Sequence, residues 1–135
     1  MNVQPYVFFN GNCEEAIRFY SQAIGAKLAF ISYFRDMPDD AGMPVREGWQ
    51  DKVMHANFVV GRSTIMAADC DESGTEHKGF QLSLDADDFA QGLSLFNALA
   101  QNGTVLMPYQ ATFWAEGFGM LVDRFGIPWM INVEK

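Results

Sequence analysis

The chain has 135 residues, enough for one domain with a sizeable core, and 49% of them are hydrophobic, with 12 Phe, 4 Tyr and 3 Trp. Its 17 acidic against 9 basic residues give a formal charge of −8, so the surface repels phosphate backbones and anionic membranes, and neither nucleic acid nor membrane is an expected partner. The opening M-N-V-Q-P-Y-V lacks a basic segment followed by an apolar one, no apolar run has the length to span a bilayer, and a cytoplasmic protein is the expectation.

Tyr6 to Phe9 is a short aromatic and β-branched run that predicts a buried strand. Asn10-Gly11-Asn12 breaks it and offers an N-cap near Asn12, with Glu14 and Glu15 in the first turn, where the helix dipole favours negative charge. Cys13, Ala16, Ile17, Tyr20 and Ile24 make one helical face, and Gly25 suits the C-terminal cap. Strands are predicted at about 27–35, 53–60 and 63–69, the last two joined at Gly61-Arg62.

Asp36 to Asp51 is a long loop rich in Pro, Gly and acid, of a length expected to cover something or meet a partner. It reads as a lid or interface loop, or else as a plain surface excursion, with Tyr33 and Trp49 as flanking aromatics. Asp69 to Gly79 is a polar linker, after which the pattern restarts. Phe80, Leu82 and Leu84 alternate as a strand; Asp87 or Asp88 can cap a helix with the face Phe89, Leu93, Phe96 and Leu99; Asn102-Gly103 closes it. Three more strands are predicted near 104–108, 117–122 and 127–133. The order β-α-β-β-β thus occurs twice, Tyr20 matching Phe96 and Ala23 matching Leu99 at an offset of about 76 residues, which implies an internally duplicated α+β fold. Cys13 and Cys70, with no C-x-x-C between them, signal neither a zinc knuckle nor a redox pair.

Asn10 to Ala26, M-H-A-N-F at Met54 to Phe58, F-Q-L-S-L-D-A-D-D at Phe80 to Asp88 and above all Met107 to Asn132, M-P-Y-Q-A-T-F-W-A-E-G-F-G-M-L-V-D-R-F-G-I-P-W-M-I-N, resemble the PhnB-like branch of the vicinal oxygen chelate superfamily, which holds glyoxalase I, bleomycin-resistance proteins, fosfomycin-resistance enzymes and extradiol dioxygenases. The resemblance covers nearly the whole chain. It implies one domain over 1–135 made of two tandem β-α-β-β-β modules, about 4–70 and 79–133, whose curved mixed sheets surround a cup, in a homodimer that binds a small organic molecule. Sequences of this branch also carry a demethylubiquinone methyltransferase label. No Gly-rich cofactor loop stands in the chain, so methyl transfer is not expected.

Enzymatic relatives hold a divalent metal through four side chains on the first strand and the hairpin-end strand of each module. Carried onto this chain, those positions fall at Pro5, at or near Met66, at Gly79 or Phe80, and at Met130. None is the nitrogen or oxygen donor that such an ion needs. The expectation is no metal at these positions and no cofactor.

Strand alternation places Gly79, Gln81 and Ser83 toward the cup, opposite Phe80, Leu82 and Leu84, and places Met66 with Thr64 and Met130 with Asn132 there too. In K-V-M-H-A-N-F-V-V, Met54, Ala56, Phe58 and Val60 form one face and leave His55 and Asn57 on the other. His55 is then either a structurally satisfied histidine or a general base near neutral pH. Trp114 and Glu116, at alternate positions before the last hairpin, are either a core contact and a surface charge or a ligand-binding pair, with Glu116 the best carboxylate for acid-base work. Asp123 and Arg124 read as turn residues, and His77 as a solvated linker histidine. Two functions remain open: a metal-free binding module whose cup is lined by Asn57, Met66, Gln81, Ser83, Trp114 and Met130, or an enzyme, either of glyoxalase type with a displaced metal or one using His55 and Glu116.

Overall fold

The computed structural model describes residues 1–38, 42, 44–70 and 76–135; parts of the long loop (39–41 and 43) and of the linker (71–75) lie outside the described residues. Two compact units, Met1–Thr75 and Glu76–Lys135, each contain one four-stranded mixed sheet and one helix. The first comprises β1 (Tyr6–Phe9), α1 (Cys13–Ile24), β2 (Lys27–Tyr33), a 3-10 turn (Phe34–Asp36), β3 (Val53–Val60) and β4 (Ser63–Asp69). The second comprises β5 (Leu82–Asp85), α2 (Phe89–Ala100), β6 (Thr104–Gln110), β7 (Ala115–Val122) and β8 (Pro128–Glu134). Strand orders are β1-β4-β3-β2 and β5-β8-β7-β6, with the first strand parallel to the last in each unit and the other pairs antiparallel.

The repeat expected from the sequence is present in the structure. The helices start 76 residues apart, at 13 and 89, and end 76 apart, at 24 and 100. Strands β1 and β5 keep the same spacing, 6 to 82, but β3 and β7 stand only 62 apart, 53 to 115. The long loop accounts for the change: 19 residues separate Tyr33 from Val53, whereas four separate Gln110 from Ala115.

In the first unit α1 packs on β2, β3 and β4. Cys13, Ala16, Ile17 and Tyr20 are buried, and the Tyr20 ring stacks on Phe58 of β3 at 5.8 Å. Gly25 ends the helix in the left-handed conformation, φ 71°, and Ala26 beyond it returns a hydrogen bond to the Tyr20 carbonyl. Asn12 occupies the N-cap position but makes no side-chain capping bond. Asp69, at the far end of β4, supplies that acceptor: its Oδ1 accepts from the Cys13 amide at 2.9 Å, and its Oδ2 from the Val53 amide at 2.9 Å. A buried carboxylate is tolerated there because both oxygens are hydrogen-bonded beside the positive end of a helix.

In the second unit Asp88 caps α2 through Gln91 N, 2.8 Å, and the Gln91 side chain returns a bond to Asp87 N, 2.7 Å. Of the α2 face read from periodicity, Phe96 and Leu99 are buried, but Gly92 joins them in place of Phe89 and Leu93, which are 41% and 39% exposed. Tyr109 of β6 explains the rotation. Its hydroxyl donates to the Phe89 carbonyl at 3.0 Å and lies against Gly92 and Gly117, so the helix settles on its glycine. Phe80 also departs from expectation. It precedes β5, is 45% exposed, and meets the His77 ring edge-on at 6.5 Å instead of packing on the helix.

The D-R-F-G turn joining β7 to β8 is organised by Asp123, 3% exposed. Its Oδ1 accepts from Phe125 N at 2.8 Å and Ile127 N at 3.1 Å, and its Oδ2 from the Trp129 indole at 2.9 Å. Trp129 is thereby a core residue, 2% exposed, and Asp123 ties the turn to it.

Candidate functional site

Each sheet buries one face under its helix and leaves the other open. In the first sheet Val7, Phe9, Ala56, Phe58, Ile65 and Ala67 belong to the helix side. The register then lines up Tyr6, Met66, Asn57 and Phe30 in a row across all four strands of the open face, with Ser32 opposite His55 in the next row. Met54 does not share the Ala56 and Phe58 face. A bulge between β2 and β3, at Ser32/Tyr33, breaks the alternation there, and Val53 (1% exposed) takes the buried position.

His55 is braced on this face. Its Nδ1 lies 3.0 Å from the Tyr6 hydroxyl, and its ring sits 5.6 Å from Tyr6 and 6.2 Å from Phe30. When Tyr6 donates, the neutral imidazole carries its proton on Nε2. Burial, with Cys13 adding, raises the Tyr6 phenol above its ordinary value, so it stays protonated through neutral pH. Tyr6 also stacks on Phe8 at 4.9 Å. Beside this aromatic group, Ser32 Oγ and Asn57 Oδ1 are buried with no hydrogen-bond partner among the described residues.

On the open face of the second sheet, Ser83, Met130 and Met120 stand in register, opposite Leu82, Leu84, Trp129 and Ile131 on the helix side. Gln81 lies just before β5, with its Oε1 buried and without a hydrogen-bond partner among the described residues. Trp114 precedes β7 and is 46% exposed, its ring edge-on to Phe113 at 4.8 Å and to Phe118 at 5.5 Å. Glu116 is exposed where the β7 to β8 register slips between Ala115 and Gly117, so simple alternation does not describe its relation to Trp114.

Sequence reasoning missed Tyr6, Phe8, Phe30 and Ser32 on the open face. The signal was present in Y-V-F-F, where Tyr6 and Phe8 alternate with Val7 and Phe9, but an all-apolar run hides which parity faces the helix. Tyr33, one of the two aromatics flanking the long loop, donates to Glu14 Oε1 at 2.8 Å under the Arg35 guanidinium. Trp49 and Arg46 of the long loop line a cleft with Phe8, Phe34 and Cys70.

At the four positions carried over from metal-binding proteins that the sequence resembles, the side chains present are poor donors for a divalent ion. Pro5 has no donor side chain and its carbonyl already accepts from Met66 N at 3.0 Å; Met66 and Met130 offer only thioethers; Gly79 and Phe80 offer none. Among the described residues no three His, Cys, Asp or Glu side chains come together as an alternative set. Nor, among the described residues, is any helix long and apolar enough to cross a membrane.

Comparison with known proteins agrees with this architecture. Residues 1–132 match the family model described as 3-demethylubiquinone-9 3-methyltransferase. The chain is 41% identical to Protein YjdN of Escherichia coli K12 over 142 residues, covering 100% of this chain and 97% of that one. The crystal structure of PA1353 from Pseudomonas aeruginosa superposes with a TM-score of 0.87 at 44% identity, covering 99% of this chain and 98% of the other. The PhnB protein from Bacillus cereus shares the fold with a TM-score of 0.80 at 24% identity, over 98% and 99% of the two chains. Solved glyoxalase-related and bleomycin-resistance/dioxygenase domains share it at greater distance. The duplicated β-α-β-β-β units and the full-length match together show that this chain belongs to the family described as 3-demethylubiquinone-9 3-methyltransferase.

Proposed function

We propose that the chain is a cytoplasmic, homodimeric small-molecule-binding protein that works without a resident divalent metal. The observation that carries this reading is the open face of the first sheet: the rings of Tyr6 and Phe30 flank His55, while Ser32 Oγ and Asn57 Oδ1 have no hydrogen-bond partner among the described residues. Buried polar atoms cost free energy until something satisfies them, and a ligand with its own donors and acceptors would do so. The second sheet offers Ser83, Met130, Gln81 and Trp114 in the same spirit, aromatic and polarizable surface beside an amide oxygen with no hydrogen-bond partner among the described residues. Edge strands β2 and β6 expose Leu28, Phe30, Val105 and Leu106, apolar area that a second copy would cover. Free thiols at Cys13 and Cys70 fit a reducing compartment.

Native mass spectrometry of the protein as purified tests the reading in one measurement. The expected spectrum is a dimer with an organic adduct and no stoichiometric metal. About one chelator-removable metal per chain, lost together with an activity, would sink it. A His55→Ala variant that holds the adduct unchanged would remove His55 from the site.

The 3.0 Å Tyr6 to His55 contact favours a second reading, an acid-base enzyme in which His55, and Glu116 as the available carboxylate, move protons. Turnover of methylglyoxal with glutathione in the presence of nickel or zinc would instead support a glyoxalase-type reaction at a displaced metal.

A further inference from the structure

Two neighbouring rows cross the open face of the first sheet. One is Tyr6, Met66, Asn57 and Phe30; in the next, Phe8 pairs with Ala68 and Ser32 with His55. Neither holds a carboxylate, a lysine or an arginine, so these rows carry no permanent charge with which to recognise a charged ligand. Their hydrogen-bonding groups are specific in kind. A phenol is the better donor and an imidazole nitrogen the better acceptor, so Tyr6 holds His55 through Nδ1 at 3.0 Å and leaves the ring proton on Nε2. That N–H has no hydrogen-bond partner among the described residues. Asn57 Oδ1, which can only accept, and Ser32 Oγ, which can accept or donate, are buried without one as well.

His55 and Asn57 share one face of β3 two residues apart, a separation of roughly 6.6 Å along the strand. Two hydrogen bonds of about 2.9 Å, splayed from neighbouring atoms of one ligand group, span it. Such a group must accept at one atom, from His55 Nε2–H, and donate at the next, to Asn57 Oδ1. An amide edge, C=O beside N–H, has this pattern. A carboxylate has no donor for the Asn57 oxygen and is opposed by the net charge of −8, and an ammonium has no acceptor for His55. The Ser32 hydroxyl, opposite His55, can donate to the second lone pair of the same carbonyl. The side-chain amide torsion of an asparagine is broad, so a rotation presents Oδ1 to a ligand without moving the backbone. The exposed rings of Tyr6, Phe8 and Phe30 supply apolar area for a flat body. We infer that the open face of the first sheet binds an uncharged planar lactam or aromatic amide, with its N–H on Asn57 and its carbonyl on His55. This rests on the reading of the face as a small-molecule site and adds the chemical class of the ligand.

The chain has two histidines, so its imidazole ring protons can be followed by proton NMR, and His77→Gln assigns those of His55. The probes are 2-quinolone, which carries the amide edge on a flat bicycle, 1-methyl-2-quinolone, which lacks the N–H, and 2-naphthoate, which puts a carboxylate in its place. At pH 8, above the ordinary imidazole range, 2-quinolone is expected to shift the His55 resonances. It should bind at least about fivefold more tightly than either other probe, the effect of leaving one buried acceptor unsatisfied. Asn57→Leu removes an oxygen that bonds nothing among the described residues, and in that variant the preference for 2-quinolone over its methyl analogue should vanish. Equal binding of the two quinolones by the native protein, tighter binding of naphthoate, or a preference that survives Asn57→Leu would overturn the inference and leave the face a binding surface of another kind. Absence of a His55 shift with every probe at millimolar concentration would overturn it too. An organic adduct in the native mass spectrum would then leave the small-molecule reading standing, and a spectrum without one would remove both.

Discussion

Asp69 caps helix α1 from a strand 56 residues further along the chain, its Oδ1 accepting the Cys13 amide hydrogen at 2.9 Å. Its second oxygen holds the first residue of β3 through Val53 N. One carboxylate thus joins the start of the helix to the point where the chain re-enters the sheet. Asp69→Ala should cost about 2–4 kcal/mol, since it leaves two buried amides without their charged acceptor. Urea unfolding monitored by circular dichroism measures it, and a loss below about 0.5 kcal/mol, the scale of an ordinary surface change, would show that the bonds are replaceable.

Asp123 plays the matching part in the second unit, but for a turn. Trp129→Phe keeps the ring in the core and removes the indole donor to Asp123 Oδ2. The expected loss is about 1–3 kcal/mol, from a poorly satisfied buried carboxylate more than from lost apolar area. Combined with Asp123→Ala in a double-mutant cycle, the two losses should fall short of additive.

Gly92 sets two effects against each other. Replacing a mid-helix glycine by alanine ordinarily stabilises by about 1 kcal/mol. Here the new methyl group would overlap the Tyr109 hydroxyl, and such overpacking costs about 1–3 kcal/mol. Gly92→Ala is therefore expected to be net destabilising alone. In a Tyr109→Phe background the loss should shrink without vanishing, because the ring carbon Cζ still stands 2.9 Å from the added methyl position, and thermal melts of the four proteins give the comparison.

Alkaline pH should weaken the fold. Burial pushes the Cys13 thiol far above its ordinary value, with Asp69 and then Glu14 adding to the effect, and Tyr6, Tyr33 and Tyr109 are also raised. A raised group binds its proton more tightly in the folded chain than in the unfolded one. Its contribution is full below the unfolded value and is lost as pH climbs toward the folded value. The decline should begin near pH 8.5, where a free thiol titrates, and steepen near 10 with the phenols. Cys13→Ala should delete the early part of the slope and leave the later part, as unfolding free energies measured from pH 7 to 10.5 would show.

Much of this fold was legible because helix faces and turn chemistry are local. Gly25, Asp88 and the 76-residue offset each follow from spacing alone. What escaped depends on partners distant in sequence. Asn12 looked like the cap, but Asp69 does the work from another strand. Phe89 and Leu93 fit the apolar period of α2, but the Tyr109 hydroxyl turned the helix onto Gly92. The open face was half visible: Asn57, Met66, Ser83 and Met130 were placed by alternation, while Tyr6 and Phe8 were lost in an apolar run and Met54 in a bulge. Asp123 was read as a turn residue, which it is, but its tie to the Trp129 indole needed the three-dimensional structure.

The long loop also makes the two repeats unequal. A ligand that relied on features common to both units would be bound twice per chain, but the four residues that join β6 to β7 include Trp114 and no cation, so Arg46 has no counterpart among them. A ligand titration that plateaus at one equivalent per chain would therefore point to the loop, and one that plateaus at two to the shared sheet faces.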